Sequence, residues 1–259
     1  MIAGDFSAWD STMYSEIGDL IIDLINEWYG DSDENKTLRR ILFMEMYSSV
    51  HLYNDILYVW HKGMPSGNPL TSILNSIYNN IIIRAAYIMA LESYDSIKDF
   101  DHNVYMCAYG DDNVISVSDK VKNEFNMTVL TECLAEFGMT YTDDNKNVDT
   151  RGFRDISDIT FLKRSFVYHE GRNKWLCPLD FESIRHQLYY TDDMDKVVDT
   201  VIQSYDTLKL ELSLHGKEVF DKTVKIVAPI IKEHYMYVAP STDSEFYLDR
   251  ALSSSDVWY

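Results

Sequence analysis

Two short runs of alternating apolar residues, Val104-Tyr105-Met106-Cys107-Ala108 and Val114-Ile115-Ser116-Val117, flank Tyr109-Gly110-Asp111-Asp112 and constrain the fold more than any other stretch of the chain. Alternation with a period of two marks half-buried strands, and Gly-Asp between them is turn chemistry. The segment is therefore expected to be an antiparallel hairpin, with candidate strands at residues 103–109 and 113–117. A solvated tight turn would explain the Gly-Asp pair alone. It does not explain two adjacent carboxylates beside an apolar core, which repel each other unless cations neutralise them. A metal site is the favoured reading of this turn.

The remaining pattern surrounds that hairpin with helices. Residues 2–6 read as the end of a strand, and Ile17, Leu20, Ile21, Leu24, Ile25 and Trp28 then recur at helical spacing, with Asp10 or Ser11 as the expected cap. A polar break at Asp31-Ser32-Asp33 precedes a second helical stretch, and residues 50–53 and 56–59 form a hairpin pattern turning at Asn54-Asp55. A long helix is expected from Pro69, burying Ile73, Leu74, Ile77, Tyr78, Ile81 and Ile82. Phe125 to Phe137 reads as a helix stopped by Gly138. Thr160 to Tyr168 and Lys174 to Leu176 suggest a third hairpin, turning near Glu170-Gly171.

Beyond Pro178 the pattern is helical, with one stripe at Val197, Val198, Val201, Ile202, Tyr205 and Leu208 and another at Val219, Phe220, Ile226 and Val227. The shift places an expected domain boundary at 177/178. The tail from Ser241 is polar and is expected to be loosely held.

A net charge of −19 argues, taken alone, against a chain that grips a nucleic-acid backbone, which ordinarily needs a basic face. Carboxylates that hold metal ions are an exception. The 46% hydrophobic content supports a packed core, while the longest aliphatic run is closed by Arg84, far short of a membrane span. No basic segment followed by an apolar one opens the sequence, so no signal peptide is expected. Cys107, Cys133 and Cys177 lack metal-ligand spacing and fit a reducing compartment. The histidines show no zinc-site spacing, no glycine-rich stretch matches a phosphate-binding loop, and no serine sits in a nucleophile elbow.

Further residues stand where chemistry would need them. Asp5 closes the first strand and Asp10 opens the next helix, so both can face one strand-end cleft, although a plain helix cap explains Asp10 equally well. The loop Gly63-Met64-Pro65-Ser66-Gly67-Asn68-Pro69 runs into a helix on which Thr71 and Asn75 share a face. A capped helix explains Ser66 or Thr71; it leaves Asn75, an amide on an apolar helix, in need of a partner. Lys146 stands in a polar loop that fits solvent or proton donation. Lys163 and Arg164 stand within an expected strand, as a solvated face or a phosphate grip.

In this order, the elements resemble the palm motifs of RNA-dependent RNA polymerases of picornavirus-like positive-strand RNA viruses. Asp5-x-x-x-x-Asp10 is similar to the first motif, Ser66-Gly67-x-x-x-Thr71-x-x-x-Asn75 to the second, and Tyr109-Gly110-Asp111-Asp112 to the third. Met139-Thr140 through Lys146 is similar to the fourth, and Phe161-Leu162-Lys163-Arg164 to the fifth, the primer grip. The resemblance spans about residues 3–168 and implies an α+β fold, a polymerase palm whose small antiparallel sheet packs on helices, followed by a helical thumb. Residues 1–177 would be palm and 178–259 thumb and C-terminal tail, with the fingers absent and this chain inactive alone.

The resemblance further implies catalysis by Asp5, Asp111, Asp112 and Lys146. Asp5 and Asp111 would hold two Mg²⁺ ions, with Mn²⁺ as a possible substitute and Asp112 in support, and Lys146 would protonate pyrophosphate. Asp10, Ser66, Gly67, Thr71 and Asn75 would bind the nucleotide, chiefly its ribose 2′-hydroxyl, and Lys163 and Arg164 would grip the primer. Asn68-Pro69-Leu70 departs from the small residues of many relatives and stiffens the loop. Implied partners are template and primer RNA, nucleoside triphosphates and other viral replication proteins released from the same polyprotein, in membrane-associated replication complexes of the host cytoplasm. A reverse transcriptase, which shares the Tyr-x-Asp-Asp turn, and a non-catalytic acidic interaction domain are the competing readings. Deoxynucleotide preference would mark the first, and absence of metal dependence the second.

Overall fold

The computed structural model describes residues 1–59, 62–65, 67–144, 152–189 and 194–255. The chain forms two compact units, Met1–Asp155 and Ile156–Tyr259.

The first unit opens with β1 (Ile2–Ser7), a short α1 (Trp9–Thr12), α2 (Ser15–Tyr29) and α3 (Asp33–Tyr47). The hairpin of β2 (Val50–Tyr53) and β3 (Ile56–Val59) follows, then α4 (Thr71–Ala90) and α5 (Phe100–Asn103). The expected carboxylate hairpin is β4 (Val104–Tyr109) with β5 (Asp112–Val117), and α6 (Met127–Glu136) and β6 (Thr140–Asp143) complete the unit. Strands β4, β5, β1 and β6 form one antiparallel sheet in that order, so the inner strands β5 and β1 are those that carry candidate carboxylates. Antiparallel sheet and separate helices make the fold α+β.

Local chemistry explains where the helices begin and end. The Ser32 hydroxyl accepts from the Asn35 amide at the start of α3, and the Asn126 side chain accepts from the Thr128 and Val129 amides at the start of α6. Gly30 and Gly138 follow α2 and α6 in the left-handed conformation that stops a helix. Helix α4 is central to the core, burying Leu74, Tyr78, Ile82, Ile83, Ala86 and Tyr87. Each buried leucine or isoleucine among them contributes about 1.5–3 kcal/mol.

Three expectations about this unit change. The long helix after β1 starts at Ser15, and Asp10 lies inside α1, whose N-cap is Ala8 in a left-handed conformation, so neither Asp10 nor Ser11 caps it. Strand β1 continues past Asp5 to Ser7. Helix α2 buries Ile21 and Ile22 while leaving Leu20, Leu24 and Trp28 exposed, and Ile73 of α4 is exposed too, because only one side of each helix meets the core. Helical spacing identifies a stripe, and the packing decides how much of it is covered.

The second unit holds two small hairpins and a helical cluster. β7 (Thr160–Phe161) pairs with β8 (Arg164–Ser165), and β9 (Val167–His169) with β10 (Lys174–Leu176). Leu162 and Lys163 both have positive φ, the conformation of a two-residue hairpin turn, so the single strand expected at 160–168 is interrupted and Lys163 stands at a turn tip. Helices α7 (Phe181–His186), α8 (Val197–Ser213), α9 (Lys217–Tyr235) and α10 (Ser244–Ser255) follow. Their core contains Ile184, Tyr205, Leu208, Leu212, Phe220 and Tyr247. Val198 and Ile226 of the expected stripes face outward. The tail is not loosely held over 244–255, because Tyr247 is fully buried and its hydroxyl accepts from Lys209 Nζ at 2.7 Å.

The compact units divide at 155/156, ahead of the boundary expected at 177/178. Residues 156–177 belong with the helices for identifiable reasons. The Ser165 amide donates to the Pro178 carbonyl, the Asp180 amide donates to the Lys163 carbonyl, and Arg164 forms a two-pronged ion pair with Glu211 of α8 at 2.7 and 3.0 Å. A composition shift records where strands give way to helices, not where contacts become sparse.

Gly4 of β1 sits beneath the ring of Tyr141 on β6, and a Cβ there would lie 2.0 Å from the ring. Gly4→Ala is expected to destabilise the first unit by about 1–3 kcal/mol through overpacking. Chemical denaturation checks this; an unchanged midpoint would contradict the close packing.

Candidate active site

The carboxylates converge because of sheet register. Ile2 pairs with Ile115, Ala3 with Val114 and Gly4 with Asn113, and the next step places Asp5 level with Asp112. Tyr109 pairs with Asp112, leaving Gly110 and Asp111 as a two-residue connection with Gly110 at φ 63°. Asp112 is thus the first residue of β5 and not part of the turn proper. Asp5, Asp111 and Asp112 are half-buried and Asp10 is exposed.

Their closeness is visible electrostatically. Burial pushes the Asp111 carboxyl above its ordinary range, repulsion from Asp5 and Asp10 adds to the shift, and the Asp111 and Asp112 backbone amides oppose it. Sequence elements separated by a hundred residues therefore act on one another through charge. Among the described residues, no group of three or more His, Cys, Asp or Glu side chains is gathered closely enough to hold a metal ion. The hard oxygen donors and their mutual repulsion nonetheless suit a divalent cation such as Mg²⁺ or Mn²⁺.

The loop before α4 reaches Asp10 through its backbone. The Met64 amide donates to the Asp10 carbonyl and the Gly63 amide to the Met13 carbonyl, while the Thr71 hydroxyl donates to the Pro65 carbonyl. Gly67 has φ 89°, a conformation for which glycine is suited. One turn along α4, Asn75 is 4% exposed and its Oδ1 has no hydrogen-bond partner, an acceptor held ready for a donor. Ser66 and Lys146 lie outside the described residues. Lys163 and Arg164 belong to the second unit, where Lys163 is exposed and lines a cleft of about 880 Å³ with Thr160, Asp180, His186 and Gln203. Arg164 is clamped by Glu211 and donates to the Cys177 carbonyl.

Sequence reasoning passed over the residues that hold the turn. Ser76 Oγ accepts from the Gly110 amide at 2.8 Å, and Asn79 Nδ2 donates to the Gly110 and Asp111 carbonyls at 3.1 and 3.0 Å. Asn113 and Tyr141 extend this group. Asn79 follows Asn75 by one helical turn, so the same question asked of Asn75 would have found it.

The raised Asp111 carboxyl predicts a stability effect. Its contribution is fully present below the ordinary carboxyl value of 3.8 and is lost as pH rises through the raised one. At pH 7 without divalent cations the charged side chain therefore opposes folding. Asp111→Asn is expected to raise the thermal midpoint in chelator at pH 7, with the gap to wild type closing toward pH 4; a lower midpoint at pH 7 would contradict the crowding.

Comparison with known proteins adds a second line. A family model described as viral RNA-dependent RNA polymerase matches residues 1–231. The chain is 35% identical over 238 residues to the replicase polyprotein of acute bee paralysis virus (strain Rothamsted), covering 88% of this chain and 12% of that protein. It is 32% identical over 252 residues to the genome polyprotein of rice tungro spherical virus (strain Vt6), covering 94% and 7%. It is 33% identical over 235 residues to the replicase polyprotein of Drosophila C virus (strain EB), covering 86% and 13%. The chain thus spans only a small part of the length of each.

Proposed function

This chain belongs to the viral RNA-dependent RNA polymerase family, and on that premise we propose that it serves template-directed RNA synthesis from ribonucleoside triphosphates during replication of a viral RNA genome. The observation that carries the reading is the sheet register that brings Asp5 of β1 level with Asp112 and the Asp111 turn. By motif, residues 1–177 are proposed as palm and 178–259 as thumb and tail, a functional division distinct from the compact units that part at 155/156.

Asp5 and Asp111 would hold two Mg²⁺ ions, replaceable by Mn²⁺, with Asp112 beside them. Bound there, the ions would supply charge stabilisation for the attacking and leaving oxygens. The buried Asn75 Oδ1 would accept the single hydrogen of the incoming ribose 2′-hydroxyl, and Asp10 would line the same ribose site. Ser66, Gly67 and Thr71 would complete that nucleotide site, and Thr71 ties α4 to the preceding loop by donating to the Pro65 carbonyl. A buried acceptor left unpaired by a deoxyribose penalises it, which is the physical basis for choosing ribonucleotides.

Lys146 is the proposed proton donor to pyrophosphate. In the primer grip, exposed Lys163 would meet phosphate and Arg164, braced by Glu211, would fix the turn that presents it. Template and primer RNA, nucleoside triphosphates and other proteins of the same polyprotein are the proposed partners, in membrane-associated complexes of the host cytoplasm. No helix among the described residues is long and apolar enough to cross a membrane.

The test is Mg²⁺- and Mn²⁺-dependent primer extension by the polymerase expressed from its full reading frame, with the 259 residues alone assayed beside it and expected to be inactive. Asp111→Asn is expected to lower ribonucleotide incorporation by roughly 10²–10³-fold or more, the scale of losing one transition-state contact. Asn75→Ala is expected to reduce ribonucleotide preference by about tenfold, the worth of one hydrogen bond. Deoxynucleotide preference in the wild type, or an undiminished Asp111→Asn variant, would overturn the reading.

A further inference from the structure

We propose that Asn79, backed by Asn113 and Tyr141, is a positioning residue that sets where the Asp111 and Asp112 carboxylates stand for a divalent cation. This rests on the metal-holding reading of those carboxylates.

Three polar side chains make a single directed chain through the core. The Tyr141 hydroxyl donates to Asn113 Oδ1 at 2.6 Å, Asn113 Nδ2 donates to Asn79 Oδ1 at 3.2 Å, and Asn79 Nδ2 donates to the Gly110 and Asp111 carbonyls. All bonds point the same way, so each amide's orientation is set by the next and the hydroxyl of Tyr141 starts the sequence. Asn79, Asn113 and Tyr141 are 0%, 1% and 1% exposed. The chain crosses three elements: Tyr141 on β6, Asn113 on β5 and Asn79 on α4. It exists because Gly4 of the intervening β1 leaves room for the tyrosine ring.

Such a network is an expensive way to hold a hairpin whose ladder is already paired from Val104 to Tyr109. Buried amides carry a desolvation penalty, and apolar groups would fill the space at less cost. What the amides add is direction. Both carbonyls of the two-residue turn are bound from one helix, so the backbone bearing Asp111 can neither rotate nor lift from α4. Groups behind metal-holding side chains act in this way, and their loss weakens metal affinity or activity by about 10–100-fold.

The experiment compares Asn79→Ala and Tyr141→Phe with wild type in the polymerase expressed from its full reading frame. Leu134→Ala, a change to a buried apolar residue of α6 outside the hydrogen-bonded chain, serves as the stability control. Mn²⁺ binding is read by electron paramagnetic resonance, and kcat and nucleotide KM by single-nucleotide incorporation. Asn79→Ala is expected to raise the Mn²⁺ Kd and lower kcat by about 10–100-fold with KM unchanged. Tyr141→Phe is expected to act in the same direction but less, and Leu134→Ala to lower the thermal midpoint without either effect. Tyr141→Phe removes one oxygen and carries the test if Asn79→Ala does not fold.

Folded variants with wild-type Mn²⁺ Kd and kcat, or a Leu134→Ala variant that reproduces the losses, would overturn the proposal and leave the site reading intact. Wild-type polymerase whose Mn²⁺ binding is untouched by Asp111→Asn would overturn the site reading itself, and this proposal with it.

Discussion

Both amide hydrogens of Asn79 are donated to the carbonyls of Gly110 and Asp111, and the arrangement of the acidic site depends on that pair of bonds. Hairpin pairing brings Asp111 to the sheet end but leaves a two-residue turn free to tilt. The amide removes that freedom by tying the turn to α4, the helix that also presents Thr71 and Asn75. One helix therefore sets the places of the carboxylate turn and of the unpartnered Asn75 acceptor. Its apolar side makes this possible, because Leu74, Tyr78, Ile82 and Ala86 anchor the helix in the core from which Asn79 reaches out.

Rigid carboxylates close together are electrostatically unfavourable, and the first unit keeps them nonetheless. Asp111 shows the tension most clearly, its carboxyl disfavoured as an anion by burial and by Asp5 and Asp10. Stability and activity are set against each other at such a position, since neutralising the charge relieves the fold and removes a proposed cation ligand. The net charge of −19 fits this better than it fits a general nucleic-acid surface.

The second unit handles buried charge by enclosing it. Lys209 is fully buried on α8, pairs with Asp206 at 2.7 Å, donates to Tyr247 and lies over the ring of Tyr205 at 4.4 Å. Tyr247 comes from α10, so the cation ties the polar C-terminal helix to the cluster. Arg164 and Glu211 do the same for the turn bearing Lys163. Asp206 lies one helical turn from Lys209, but Tyr247 and the Arg164–Glu211 pair join segments distant along the chain.

Order and spacing along the chain made much of this legible. The alternating runs around Tyr109-Gly110-Asp111-Asp112, the long helix after Pro69 and the stop at Gly138 all follow from local chemistry, and the polymerase resemblance rests on ordered motifs that local patterns carry. The division at 155/156, the break at Leu162-Lys163 and the burial of Tyr247 were not legible, because they depend on bonds between distant segments. By itself the sequence determined the strand and helix types, the carboxylates and the family, since these reside in periodicity and residue identity. Only the tertiary structure decided that Asn79, Asn113 and Tyr141 join across α4, β5 and β6, for which register and the bare face of Gly4 must both be known.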